Sequence, residues 1–265
     1  MRDSRGMTEL EGGRAAALVG ISHGTSSEEG RAAVRRLHEG VAAAAARVAA
    51  GEAEPDGPRA TGPVVLGHVD VEQPDPASSL ASLPDGVDAV VVPYLLSAGY
   101  HVHVDLTDAV DEARAAGRRV SLAPPLGPDD ALVAVLERRL REAGLADGDA
   151  IVLGVAGSSD ARANDACRDV RDRLAARLGR DVSIGFLAAE EPRLPDAVAA
   201  ARASLGSPER VVVANYLLAP GYFDDLARRA GADVVAQPLL VPHEPAPAEL
   251  VDLALRRFAE APRPA

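Results

Sequence analysis

Short Val-rich runs alternate with longer amphipathic segments along the chain. The apolar runs are Ala16–Ser22 (AALVGIS), Pro63–Val69 (PVVLGHV), Ala89–Leu96 (AVVVPYLL) and Arg119–Pro125 (RVSLAPP). They lack the polar alternation of a strand with one wet face, so they predict strands buried on both sides. The segments between them, such as SSEEGRAAVRRLHEGVAAAAARVAA and DALVAVLERRLREAG, place their apolar residues at helical spacing. Strands of this kind separated by helices predict an α/β chain with a parallel sheet covered on both faces.

The same order then recurs. Ala150–Val170 repeats the opening stretch, and Ile184–Val198 repeats Leu66–Leu80. Val211–Asp225 repeats Val90–Asp105, and Val234–Pro242 repeats Val120–Pro128. A unit of this size is a duplicated domain rather than a solenoid repeat. The pattern predicts two similar α/β/α lobes, each a small parallel sheet flanked by helices. They occupy residues 15–143 and 149–260, divided at the turn-rich Gly144–Asp149, with a flexible polar tail at 1–14. The first half carries an extra polar loop at Gly51–Pro63. Ligands of open parallel sheets sit beyond the carboxyl ends of the strands, so a cleft between the lobes is expected there.

Composition narrows the chemistry. Hydrophobic residues make up 47% of 265, which is enough for a large core, but aromatics are only 3% and tryptophan is absent, so Val, Leu and Ala must fill it. A net charge of −12 argues against a nucleic-acid partner. All 28 basic residues are arginine, which removes a Walker A loop and a lysine Schiff base from consideration. Cys167 is the one cysteine, so no thiolate cage or disulfide framework forms within one chain. No stretch has the length or apolarity of a bilayer span or a signal peptide, and a cytoplasmic protein without a membrane partner is expected.

The strand ends of the two halves differ in one respect. The first half places His23 after strand one, Asp70 after strand two, and His101 and His103 after strand three. Ala156, Ala188 and Phe223 hold the matching positions of the second half. The surrounding framework persists: Gly157 for Gly24, Pro192 for Pro74, Tyr216 for Tyr94, Gly221-Tyr222 for Gly99-Tyr100. The scaffold is kept and the ionisable side chains are lost together, which marks the second copy as a degenerate site. Imidazoles with a carboxylate suit a divalent transition metal, and imidazole accepts protons near neutral pH. Inserting a metal into a tetrapyrrole needs both properties, because two pyrrole N–H protons leave as the ion enters.

Three motifs carry a family resemblance: His23-Gly24-Thr25 after strand one, VDVEQP (Val69–Pro74) after strand two, and GYHVHVD (Gly99–Asp105) after strand three. In this order, with degenerate copies in the second half, they resemble the CbiX/SirB sirohydrochlorin chelatases in their long, two-lobed form, from Ala16 to Phe258. The resemblance implies two chelatase-like lobes and a lyase-class reaction. Co²⁺ or Fe²⁺ would enter sirohydrochlorin for cobalamin or siroheme synthesis, with the metal as substrate and no organic cofactor. It assigns metal binding and catalysis to His23 and His101 and sets Asp70 where the family has glutamate. Glu72 stands close enough to substitute for Asp70 as an acid or metal ligand. His103, two residues beyond His101, shares its face if the chain stays extended, as a third ligand or an exposed bystander. Arg31, Arg162 and Arg193 follow the strand-end motifs and are candidates to pair with the ring's carboxylates. An internal pseudo-dimer favours a monomer.

The remaining residues have simpler readings. Thr25, Ser26 and Ser27 cap the first helix, which leaves the His23 imidazole spare. His38 reads as a solvated residue, His68 as a satisfied buried histidine, and His243 as a residue that helps start the last helix. Asp105 and Asp108 read as caps of the helix after strand three, and Cys167 as a small core residue. A non-enzymatic metal carrier or sensor using the same histidines is the alternative function. A phosphoryl-transfer histidine of the Arg-His-Gly type is excluded, because Ser22 precedes His23.

Overall fold

The computed structural model describes residues 16–52, 60, 62–97, 99–204 and 210–262, and within these not the side chains of residues 100–103. The 1–14 tail and most of the Gly51–Pro63 loop lie outside the described residues. The first half runs β1 (Ala16–Ser22), α1 (Glu28–Ala49), β2 (Val64–His68), α2 (Pro76–Ala81), β3 (Asp88–Pro93), α3 (Tyr100–Ala115), β4 (Val120–Leu122) and α4 (Asp130–Glu142). The second runs β5 (Ala150–Val155), α5 (Ala161–Leu178), β6 (Val182–Phe186), α6 (Leu194–Ser204), β7 (Val211–Tyr216), α7 (Tyr222–Arg228), β8 (Val234–Val235) and α8 (Ala248–Glu260). Each half forms a parallel four-stranded sheet, in the orders β2-β1-β3-β4 and β6-β5-β7-β8. The duplication therefore extends to strand order. Registers pair Val19 with Val65 and Val91 in one sheet, and Val152 with Ser183 and Val213 in the other.

The unbroken apolar runs are explained by burial on two sides. One face of the first sheet (Val19, Ile21, Val91) packs under α2 and α3 with Leu80, Leu106 and Val110. The corresponding face of the second sheet (Val152, Val213) packs under α6 and α7 with Leu194, Val198 and Ala227. The remaining faces share one continuous core, in which Leu18, Val90 and Val92 join Leu153, Val155 and Val212.

That shared core is built by exchange. Helix α4, the last of the first half, packs on β7 and α5, while α8 packs on β3 and α1. Each half thus covers the other's sheet with its terminal helix. Leu132, Leu136 and Leu140 of α4 and Leu250, Leu253 and Phe258 of α8 are buried in the common core. A division at 144–149 follows the chain but not the packing, because neither 15–143 nor 149–260 contains all the helices that cover its own sheet. Arg138 pairs with Glu249 at 2.7 Å, and the Arg257 Nε donates to Pro125 O at 2.9 Å. These half-buried polar contacts add direction, and the apolar core carries most of the association.

Several local expectations change. The run expected as Arg119–Pro125 is a strand only at Val120–Leu122. Helix α3 begins at Tyr100 with Gly99 as its N-cap, so Asp105 and Asp108 lie inside the helix and cap nothing. His38 is half-buried rather than solvated: its Nδ1 is buried without a hydrogen-bond partner among the described residues, and burial holds its pKa below the ordinary 6.5. Cys167 is a buried core thiol, pushed up to about 11 by burial. Among the described residues no helix is long and apolar enough to cross a membrane.

Candidate active site

Strand β1 ends at Ser22, and the chain then turns sharply through His23 and Gly24. Gly24 adopts φ +91°, and a Cβ there would strike the carbonyl of Asp70. Only glycine allows the two loops to lie this close. The Asp70 N–H donates to His23 O at 2.9 Å, so the loop after β2 braces the loop after β1. The next residues form the expected cap: Ser27 is the N-cap of α1, and its Oγ accepts from Gly30 N at 3.2 Å. His23 is left outside this network. Its side chain is exposed, and no described residue hydrogen-bonds its imidazole.

Glu72 and Arg31 hold the turn from beneath. The Glu72 Oε1 accepts from Thr25 N at 2.9 Å, and Arg31 Nε donates to Thr25 O at 2.9 Å. Arg31 lies 3.6 Å from Glu72 Oε2, and His68 Nδ1 lies 3.8 Å from Oε1. The second half reproduces this brace with other residues. Asn164 accepts from Ser158 N at 2.9 Å and donates to Ser158 O and to Glu190 Oε2. Glu190 is the counterpart of Glu72, and Gly157, with φ +82°, is that of Gly24. The brace therefore survives in the half that lost the imidazole.

Behind His23, the Ser22 Oγ and His68 Nδ1 are 2.8 Å apart, and both residues are buried. Burial lowers the His68 pKa, with Glu72 opposing the shift and Arg31 adding to it. His68 is thus the satisfied interior histidine that the sequence predicts, neutral at physiological pH.

Asp70 is exposed, and its Oδ1 accepts from Val71 N at 2.7 Å. That bond accompanies Val71 in the left-handed region at φ 66°, a conformation that costs a β-branched residue about 1–3 kcal/mol. Ala189 repeats it at φ 60°. The strain displays the Val71 side chain, which is 60% exposed.

The loops meet at a cavity of 450 Å³ between the two lobes. Ser22, His23, Val71 and Tyr94 line it from the first half, and Ala156, Tyr216, Tyr222 and Phe223 from the second. The cleft thus lies beyond the strand ends, as the topology predicts. His101 and His103 fall in the first turn of α3, which follows β3, and their side chains lie outside the described residues. The extended chain on which their shared face depended is absent, since the backbone is already helical at Tyr100. Among the described residues no three His, Cys, Asp or Glu side chains converge as a metal cage.

Other candidates have partners elsewhere. Glu72 is engaged by the Thr25 N–H rather than presented to the cavity. Arg31 is held to Thr25 O, Arg162 pairs with Asp160 at 2.9 Å, and Arg193 donates to Leu187 O at 2.8 Å. None of these three arginines lines the cavity. His243 precedes α8 by five residues, too far to start it; it lines a neighbouring cavity with Glu28, Glu29, Asp225 and Glu244. The apolar walls Val71, Tyr222 and Phe223 escaped sequence reading. The only signal for them was an aromatic at 223 where the first copy has histidine.

The chain is similar to several solved structures. SirB from Bacillus subtilis with Fe³⁺ matches at 17% identity with a TM-score of 0.73, covering 93% of this chain and 95% of that one. The sirohydrochlorin chelatase SirB from Bacillus subtilis subspecies spizizenii in complex with cobalt matches at 16% identity and TM-score 0.65, covering 92% and 93%. CbiX, the terminal enzyme for biosynthesis of siroheme in denitrifying bacteria, matches at 19% identity and TM-score 0.58, covering 91% and 98%. At these identities the likeness establishes the two-lobed fold. No curated protein sequence matches the chain. The CbiX family model matches residues 17–143 and 150–241, one span in each half of the duplication. With most of its length matched in both copies, the chain belongs to the CbiX family.

Proposed function

We propose that this protein is a metal chelatase that inserts Co²⁺ or Fe²⁺ into sirohydrochlorin, a lyase-class reaction of cobalamin or siroheme synthesis. The observation that carries the reading is the unequal decoration of one cavity. Two equivalent, equally braced turns face it, and only one presents an imidazole: His23 against Ala156. A site for a flat ring and one ion needs two walls and one set of ionisable groups.

In this reading the metal-free ring occupies the cleft and the ion arrives at His23 and His101. As the metal bonds to the four ring nitrogens, two N–H protons leave. Neutral imidazole takes them up and passes them to solvent. Asp70, beside the His23 turn and exposed, assists delivery of the ion or orients the histidines, and His103 is a further candidate ligand. Glu72 acts through the turn that it braces. Both walls come from one chain, so a monomer holds a complete cleft.

The test is spectroscopic. Metal-free sirohydrochlorin is mixed with Co²⁺ or Fe²⁺, with and without the protein, and the metallated product is followed by its absorbance. Acceleration over the spontaneous rate is the expected result. Metal binding with no acceleration would identify a metal carrier or sensor instead.

A further inference from the structure

The aromatic residues of this chain are few and gathered. There are three Phe and four Tyr in 265 residues, and four of these seven line the cavity at His23: Tyr94, Tyr216, Tyr222 and Phe223. Tyr94 and Tyr216 are buried at equivalent strand ends and form its floor. The Tyr94 hydroxyl is buried over Gly20 of β1 with no hydrogen-bond partner among the described residues, a state that costs about 1–3 kcal/mol.

Tyr222 and Phe223 form the rim. Among the described residues the large exposed apolar side chains are Val71, Tyr222 at 69% and Phe223 at 37%, and all three line this cavity. The core does not account for them, because their faces are in solvent. The two rings stand edge to face, centroids 5.6 Å apart and planes at 67°, so their mutual orientation is set before any ligand arrives. Phe223 also stands at the position of His101 in the first half. That wall has exchanged a ligating side chain for an apolar one and kept it exposed.

We propose that Tyr222 and Phe223 are the ring-positioning residues of the cleft: they pack against the macrocycle from the second lobe, so that metal enters only from the face toward His23. This rests on the chelatase reading and adds what that reading leaves open, namely which wall holds the ring and why insertion is one-sided. A flat conjugated occupant follows from the chemistry of the wall. Aromatic faces gain most from a planar π-system, which they contact without any polar group to satisfy. Val71, held out by its strained backbone, supplies the apolar contact from the first lobe.

The experiment is a fluorescence titration of metal-free sirohydrochlorin with no metal present, using wild type, Phe223→Leu and the double variant Tyr222→Ala/Phe223→Ala. Both side chains are exposed, so folding should persist; thermal melts check this. The double variant is expected to bind the ring about tenfold or more weakly, with Phe223→Leu between it and wild type. In the insertion assay the loss should appear as a raised KM for the ring, with Co²⁺ affinity measured without the ring unchanged. Equal ring affinity in wild type and the double variant would overturn the proposal and leave the chelatase reading standing. Failure of the wild type itself to bind the ring would overturn both.

Discussion

The Glu72 carboxylate accepts the Thr25 backbone N–H at 2.9 Å, and this bond joins the turn that carries His23 to the loop after β2. Arg31 closes the arrangement from α1, so a near neighbour in the chain and a loop 47 residues away together hold the turn that presents the imidazole. Glu72→Ala should leave the Thr25 N–H without an acceptor, costing about 1–3 kcal/mol of stability and lowering insertion. Glu72→Gln keeps an acceptor oxygen and should retain most activity. A loss in Glu72→Gln as deep as in Glu72→Ala, together with lost Co²⁺ affinity, would make Glu72 a metal ligand instead.

His23→Ala and His101→Ala should each lower insertion by about 10²-fold or more while the protein stays folded, because residues beyond the strand ends carry little of the core. Absorbance assays paired with circular dichroism separate the two effects. A folded His23→Ala protein inserting metal at the wild-type rate would remove this residue from the mechanism.

Buried histidines predict acid sensitivity. Burial lowers the pKa of both His38 and His68 in the native state from the ordinary 6.5. The unfolded chain therefore binds protons that the native site refuses. Stability is full above about pH 6.5 and falls as the pH drops toward the lowered native values. Urea midpoints at pH 7.5 and 5.5 should show this loss. His38→Leu, which removes an unpartnered buried nitrogen, should reduce the loss and leave insertion unchanged.

One ion per chain is the expected stoichiometry, because Ala156 and Phe223 leave the second lobe without its imidazoles. Calorimetric titration with Co²⁺ in the absence of the ring should saturate near one. The double variant Ala156→His/Phe223→His should gain weak second-site metal binding without doubling turnover, since one ring fills the shared cleft. Two equivalent tight sites in the native protein would contradict this division.

The exchange of α4 and α8 predicts that the halves depend on each other. Residues 16–147 and 148–262, expressed separately, should lack cooperative thermal unfolding, because each exposes the sheet face that the other's helix covers. Mixing them should restore a melt. Within the full chain, Leu253→Ala should cost about 2–5 kcal/mol, as expected for a leucine fully buried in the common core. A cooperative melt for either half alone would show that its sheet is stable without the exchanged helix.

What the sequence determined by itself is periodic or local. Continuous apolar runs announced both parallel sheets, and the recurrence of the whole pattern announced the duplication, because strand burial and helix amphipathicity are written at short range. The turn at His23-Gly24-Thr25 was also legible: a glycine, a cap and a spare imidazole are neighbours in the chain. Tertiary structure decided what depends on approach between distant segments. The half-burial of His38, the engagement of Glu72 by Thr25 and the crossing of α4 and α8 arise from packing across tens to a hundred residues, and no short window encodes that. The apolar rim is the clearest case. Comparison of the two halves placed Tyr222 and Phe223 at the degenerate strand end, and only folding left them in solvent beside the cavity that His23 lines.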